Sequence, residues 1–315
     1  MTSGNSIWYP LAHRGIVGVS GADRVRWLNG MVTQEVGDLG GEQNVRRALL
    51  LSRQGRVLAD FHVIGWEDEL WLELEASHVE SVIEHLERYI IADDVVLRDL
   101  RGSYARFALE GEAIRDALRD TSDRALPASE QSAVRVCLDD VSCAVAGYRF
   151  GVREQLQFSV DPGAADRLFE VVSAAVPNLA VGDATDWERL RVEAGTPRLG
   201  FELDESVLPD EAGLGDAVST TKGCYTGQEV VARLRSRGTI KHRLVGLRFD
   251  GKAAVGDKLV AEGRTVGEVT SVVRSPEHGA IGLGFVNADK STPGERLDAP
   301  DGAAEVATVP FAQTP

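Results

Sequence analysis

Past Gly238 this chain changes character, and that change limits its fold more than any other feature. The residues that follow, HRLVGLRFDG, GDKLVAEGRTVGEVTSVVRS and AIGLGFVNAD, are short runs broken by glycine turns. Such a pattern specifies a small antiparallel barrel or sandwich. The residues before it mix strands with helices, the signature of an α+β region. The main boundary therefore falls near residue 238 and divides the 315 residues into 1–237 and 238–315.

Within the first region, IVGVSG reads as a strand ending in a turn, and residues 23–32 as a short helix with Val25, Trp27 and Leu28 facing in. RRALLLSRQGRVLADFHVIGWEDELWLELE reads as three strands joined by turns at RQG and WEDE. Leu70, Leu72 and Leu74 alternate onto one face. Ser77 and Glu80 have the spacing of a capping box before a helical stripe of Val79, Val82, Ile83, Leu86 and Ile90. YARFALEG reads as a strand, EAIRDALRD as a helix and TSDRALPASEQSA as a loop; RVCLDDVSCAVAGYRFG and LQFSVD read as strands. Asp161 and Pro162 open the next helix, and residues 183–194 form another that Gly195 and Pro197 stop. Residues 195–223 are irregular, and loops of that length are commonly functional.

Charge narrows the function. The net charge is -15, spread along the chain, which argues against nucleic-acid binding and against docking on an anionic membrane. No apolar run reaches the ~18 residues of a membrane-spanning helix. The N-terminal stretch MTSGNSIWYPLAHRG lacks the basic and apolar segments of a secretory signal. Cys137, Cys143 and Cys224 form neither a disulfide framework nor a metal-ligand spacing, so a reduced, cytoplasmic protein without a resident metal is expected. Cys137 and Cys143 lie in alternating apolar strands, and their separation by six residues places them on the same strand parity as structural residues.

The third cysteine sits in a different setting, KGCYTGQE, residues 222–229. Thr226 and Glu229 have capping-box spacing, so QEVVARL should continue as a helix with Cys224 just before its N-terminus. Helix N-termini carry partial positive charge, and Lys222 and Arg233 add cations nearby in sequence, a setting that favours a reactive thiolate. Gly223 and Gly227 would let the backbone turn tightly beside a ligand. The competing reading is a small buried side chain, as most free cysteines are.

KGCYTGQE resembles the signature of the YgfZ-type folate-binding proteins, which include iron–sulfur assembly factors and are relatives of the glycine-cleavage T-protein, the aminomethyltransferase. DRVRWLNGMVTQEV, QGRVLADF, RVEAGTPRLGFELDESVLPDEAGL and GEVTSVVRS resemble family segments in the same order, so the likeness covers most of the chain. It implies an α+β fold of three parts in a ring, two intertwined α+β regions and a C-terminal antiparallel β-barrel, around a pocket for tetrahydrofolate or a one-carbon derivative. It implies that Glu193, in RVEAG, holds the pterin ring, since a carboxylate accepts paired N–H bonds. By the same resemblance Asn29, Lys222, Gly223, Tyr225, Gln228 and Arg233 contact the cofactor. Arg233, Arg235 and Arg237 are candidates to meet its carboxylate tail, or else they line one solvated surface.

Two functions follow from the resemblance. In the first, the protein binds folate and supports iron–sulfur client or assembly proteins through Cys224; three cysteines do not make a complete cluster ligand set, so a partner or small molecule would complete it. In the second, it is a folate-dependent aminomethyl or one-carbon transferase, with Asp60 as the acid–base or electrostatic group. The T-protein carries two adjacent acids there; this chain has Ala59 and Asp60. A third, bland reading is a scaffold with a relic pocket.

Overall fold

The computed structural model describes residues 6–39, 44–150 and 153–311, without the side chains of Arg153 and Arg237. In chain order the first elements are β1 (Ile7–Pro10), β2 (Arg14–Ser20), α1 (Arg24–Met31), β3 (Val45–Leu51), β4 (Val57–Gly65), β5 (Leu70–Glu75), α2 (Val79–Glu87) and β6 (Val96–Asp99). Next come β7 (Ala105–Glu110), α3 (Ile114–Ala117), β8 (Ala133–Leu138), β9 (Val141–Phe150), β10 (Arg153–Val160), α4 (Ala165–Ala175), β11 (Ala180–Val181), α5 (Ala184–Ala194) and α6 (Gln228–Arg237). The last are β12 (His242–Phe249), β13 (Lys258–Ala261), β14 (Arg264–Ser275), β15 (Gly279–Asn287), β16 (Arg296–Ala299) and β17 (Gly302–Ala307).

Two sheets and a barrel result. One sheet runs β3-β4-β5-β2-β6, the other β11-β1-β7-β10-β9-β8, and β12-β15-β14-β13-β16-β17 close into a barrel. Residues of α1 and α2 share a core with one face of the five-stranded sheet, through Trp27, Leu28, Val82 and Leu86. Residues of α4 do the same on the six-stranded sheet, through Leu168, Val171 and Val172. The remaining faces meet each other: Ile16, Val45, Ile64 and Trp71 pack against Ala144, Ala146 and Tyr148. A sheet covered on both faces explains β5, whose six residues are all buried. Leu70, Leu72 and Leu74 do share one core, but Glu73 is buried as well, in an ion pair 2.7 Å from Arg106 across the two sheets.

Local signals succeed where no tertiary contact overrides them. Asp183 and Asp186 form a reciprocal capping box on α5, and Gly195 ends it in the left-handed region at φ 70. The other two capping boxes do not form. A short turn of tighter helix over Ala76–His78 leads into α2, and the Ser77 hydroxyl lies 3.0 Å from His78 Nδ1 instead. At α6 the N-cap is Gly227, at φ 84, and Glu229 pairs with Arg233. A side chain at Gly227 would put its Cβ 2.5 Å from the Ser52 carbonyl oxygen in the β3–β4 turn, so glycine is required there. The cysteine reading is also corrected. Cys137 pairs with Ser142 and Cys143 with Val136, so the turn between β8 and β9 sends the two thiols to opposite faces.

Candidate functional site

Strand register assembles a polar stripe. Arg47 stands opposite His62, and His62 opposite Glu73, so the three share one face; Asp60 and Glu75, two residues along, join it. This face turns toward the six-stranded sheet and lines a cavity of about 110 Å³ that opens to solvent. Arg14, Arg47, Asp60, His62 and Glu75 form one wall. Tyr148, Arg149, Phe150 and Gln157 form the second, and Trp187, Arg191 and residues 196–199 the third. Five arginines and two carboxylates line the cavity, and each arginine is ion-paired: Arg47 with Asp60, Arg14 with Glu75, Arg149 with Glu130 and Glu154, Arg191 with Glu188 and Glu202, and Arg198 with Glu75 and Glu188.

Asp60 is tied down. Arg47 donates Nε to its Oδ1 at 2.9 Å and Nη2 to its Oδ2 at 2.6 Å. Burial pushes the Asp60 carboxyl up, but the Arg47 guanidinium outweighs it and holds the group below the ordinary carboxylate range. Beside it, burial pushes His62 down to about 3, which keeps the ring neutral, edge-on to Tyr148. Glu75 pairs with Arg14 at 3.2 Å and Arg198 at 3.1 Å. Two donors of cavity-lining residues lack a protein partner: the Tyr148 hydroxyl and Arg198 Nε are buried with no hydrogen bond. Such groups are costly unless something satisfies them.

One buried network fixes the third wall. Arg191 donates to Glu202 at 2.8 Å, to the Thr196 carbonyl at 2.7 Å and to Ser271 Oγ at 2.7 Å. Glu202 also accepts from Thr270 Oγ1 at 3.0 Å and from the Arg198 backbone N–H at 3.1 Å. These bonds join α5, the following loop and β14 of the barrel.

Glu193 is not on the wall of this cavity. Trp187 and Arg191, one turn apart on α5, face it. Glu193 lies on the stripe of Arg189 and lines a separate cavity with Tyr9, Pro276 and Glu277. Residues two apart on a helix point to nearly opposite sides, so Arg191 and Glu193 cannot share one wall.

The KGCYTGQE residues form a second cluster, also apart from the central wall. Lys222 Nζ donates among the carbonyls of Asn29 (2.7 Å), Val32 (2.9 Å) and Gln34 (2.7 Å) and Asn29 Oδ1 (3.1 Å). Burial pushes this ammonium down to about 8. Its donors are thus used to cap the C-terminal end of α1. Tyr225 is buried, with its ring 5.5 Å from Lys222 Nζ, and its N–H donates to Gln228 Oε1 at 3.3 Å. Gly223 and Cys224 are exposed. Arg233 pairs with Glu229 and Arg235 with Asp210; the Arg237 side chain lies outside the described residues. The structure therefore unites Asn29, Lys222, Tyr225 and Gln228 around one loop and places Asp60 alone of the expected residues in the central cavity. Sequence reasoning missed Arg14, Arg47, Glu75, Tyr148 and Arg198. The available signal was polar residues recurring at every second position in strands whose other positions are apolar.

Known proteins share this architecture. Residues 8–222 match the GCVT N-terminal domain family, and residues 242–312 the glycine cleavage T-protein C-terminal barrel domain. The "Putative transferase At1g60990, chloroplastic" of Arabidopsis thaliana is 27% identical over 91% of this chain, which spans 66% of that relative's length. The aminomethyltransferase of Streptomyces avermitilis is 28% identical over 91% of this chain and 79% of its own length. The crystal structure of glycine cleavage system aminomethyltransferase T from Bartonella henselae superposes with a TM-score of 0.86, at 18% identity, over 99% of this chain and 88% of that one. The shared fold includes the α+β regions and the closed six-stranded antiparallel barrel. Among the described residues no helix is long and apolar enough to cross a membrane.

Proposed function

The chain belongs to the glycine cleavage T-protein family, and on that premise we propose that its central cavity holds tetrahydrofolate or a one-carbon derivative. The observation that carries this reading is the arginine-rich, aromatic wall of the cavity. A folate combines flat rings with carboxylates. Trp187, Phe150 and Tyr148 supply apolar faces, and Arg14, Arg149 and Arg198 supply donors for anionic groups. The unpartnered Tyr148 hydroxyl and Arg198 Nε fit a ligand rich in acceptors. A bound folate carries one-carbon units; Asp60, Arg47 and neutral His62 would define the polarity of its surroundings.

For the role of that folate, we propose an accessory function in iron–sulfur cluster assembly or repair, with Cys224 as the working thiol. Cys224 is exposed and stands outside the cavity wall, where a client protein could reach it. Among the described residues no group of three potential ligands could hold a metal, so any cluster would be shared with a partner. A second reading, a folate-dependent transferase, is favoured by one observation: Asp60 lies in the cavity. Against it, Asp60 is locked by two bonds to Arg47, which makes it a weak base.

A complementation assay separates the two. Cells lacking this protein receive wild type, Cys224→Ala or Asp60→Asn at matched levels, and aconitase specific activity is read under oxidative stress. The accessory function predicts rescue by wild type and Asp60→Asn but not by Cys224→Ala. Rescue by Cys224→Ala with failure of Asp60→Asn would favour the transferase. For the ligand, Glu193→Ala tests the assignment carried by the resemblance. Loss of tetrahydrofolate binding in Glu193→Ala alone, with Arg198→Gln unaffected, would move the site to the cavity beside Glu193.

A further inference from the structure

A cavity of about 380 Å³ lies between the same two sheets and shares no lining residue with the central one. Strand register explains it. Arg135 pairs with Ala144 and Ala144 with Ser159, so the three share one face, and Ser142, two residues before Ala144, joins them. That face turns toward Trp71 of β5, as Ala146 and Tyr148 further along it do. Ser142, Ala144 and Ser159 are too small to fill the space opposite Trp71, and a cavity remains where the sheets would otherwise close-pack.

The lining favours one sign of charge. Trp71 and Tyr104 present rings with centroids 4.8 Å apart, tilted by 53°. Arg135 is the lining cation, and it is drawn toward two carboxylates outside the cavity, Asp68 at 3.7 Å and Glu69 at 3.4 Å. Its guanidinium carbon lies 5.8 Å from the Trp71 ring centroid, so this ring already faces a cation. The lining carboxylates lack comparable partners. Asp161 has no ion pair among the described residues, and its Oδ1 accepts the Gly163 N–H at 2.8 Å. Asp123 accepts the Cys137 N–H at 2.7 Å and meets Arg124 only at 4.0 Å, on the surface. Ser159 adds an independent sign. It is 3% exposed and lines the cavity, yet its hydroxyl makes no hydrogen bond among the described residues. A buried polar group left so is costly unless a ligand or water satisfies it.

We propose that this cavity is a second ligand site, built for a small primary organic ammonium ion. An ammonium group carries three N–H donors and no acceptor, which suits a lining of carboxylates and hydroxyls. Asp161 and Asp123 supply the countercharge, the Ser159 hydroxyl accepts a hydrogen bond, and the Trp71 and Tyr104 rings cover the alkyl body and attract the charge. The site is separate from the central cavity and does not depend on the folate reading.

The test is a saturation-transfer NMR titration of the full chain with three probes of one size: butylammonium, butyrate and butanol. Butylammonium should bind about five-fold more tightly than either of the others, the upper range of one exposed ion pair. Asp161→Asn keeps a capping side chain at the turn that follows β10, and Ser159→Ala removes only a hydroxyl, so both variants should fold and melt like wild type. Each should weaken butylammonium roughly three- to five-fold and leave butanol unchanged. A preference for butyrate would show that Arg135 sets the sign of the site and would overturn the proposal. Equal binding of all three probes, no binding of butylammonium, or butylammonium binding that neither variant weakens would overturn it as well.

Discussion

Replacing Glu202 with alanine should destabilise the protein strongly and loosen the barrel from the rest. Glu202 is 1% exposed and Arg191 3% exposed, and they pair at 2.8 Å. Breaking such a buried pair by removing one partner costs about 3–5 kcal/mol, because the other charge stays buried. Arg191 keeps Glu188 as a second carboxylate, and Thr270 keeps the Leu283 carbonyl, which places the loss near the lower end, about 3 kcal/mol. Glu202→Gln retains the shape and part of the bonding, so its loss should be about 1.5–3 kcal/mol, the worth of a hydrogen bond to a charged group. Urea unfolding provides the assay, with two probes. The five tryptophans, Trp8, Trp27, Trp66, Trp71 and Trp187, all precede the barrel, so their fluorescence reports the α+β region while circular dichroism reports the whole. In Glu202→Ala the two transitions should separate, since the bonds to Thr270 and Ser271 that tie β14 to the loop are gone. Coincident transitions within about 0.5 kcal/mol of wild type, the scatter of neutral surface changes, would refute the reasoning.

Other predictions concern the two clusters. His62 is held neutral with its pKa near 3, against 6.5 for the ordinary group, so between those values the unfolded chain binds the extra proton and stability falls as pH falls. From pH 7 to pH 5 this term amounts to about 2 kcal/mol, and His62→Gln should narrow the stability difference between those two pH values by that amount in paired urea titrations. Asp60 is depressed, so its contribution is present above the ordinary carboxylate pKa and lost as pH falls through the lower folded value. Asp60→Asn should therefore be most damaging near neutral pH and converge on wild type in acid; a penalty that grows in acid would sink the idea. Lys222→Met would strand the carbonyls of Asn29, Val32 and Gln34 and should cost about 2 kcal/mol. It should also change the alkylation rate of Cys224, whose loop Lys222 anchors, whereas an unchanged rate would detach the thiol from that anchor.

The fold was legible to the degree that its signals are local. Glycine turns and short alternating runs past Gly238 marked the barrel, and Asp183 and Gly195 marked both ends of α5. The site was less legible because it is tertiary. Arg47, Asp60 and His62 meet only through the register of β3 and β4, and Tyr148 joins them from another sheet. Alternation in β5 identified one apolar face but could not reveal that Glu73 on the other is buried against Arg106. Glu193 and Arg191 are neighbours in RVEAG, yet the helix turns them toward different cavities. Lys222 and Asn29, 193 residues apart, were both singled out by the sequence, but the contact between them depends on the folded chain.

The most direct test of the account is a crystal structure of the protein grown with tetrahydrofolate. Density for the ligand is expected in the central cavity, with the pterin among Asp60, Tyr148 and Trp187. Density in the cavity beside Glu193, or a central cavity that stays empty at saturating tetrahydrofolate, would contradict the folate assignment.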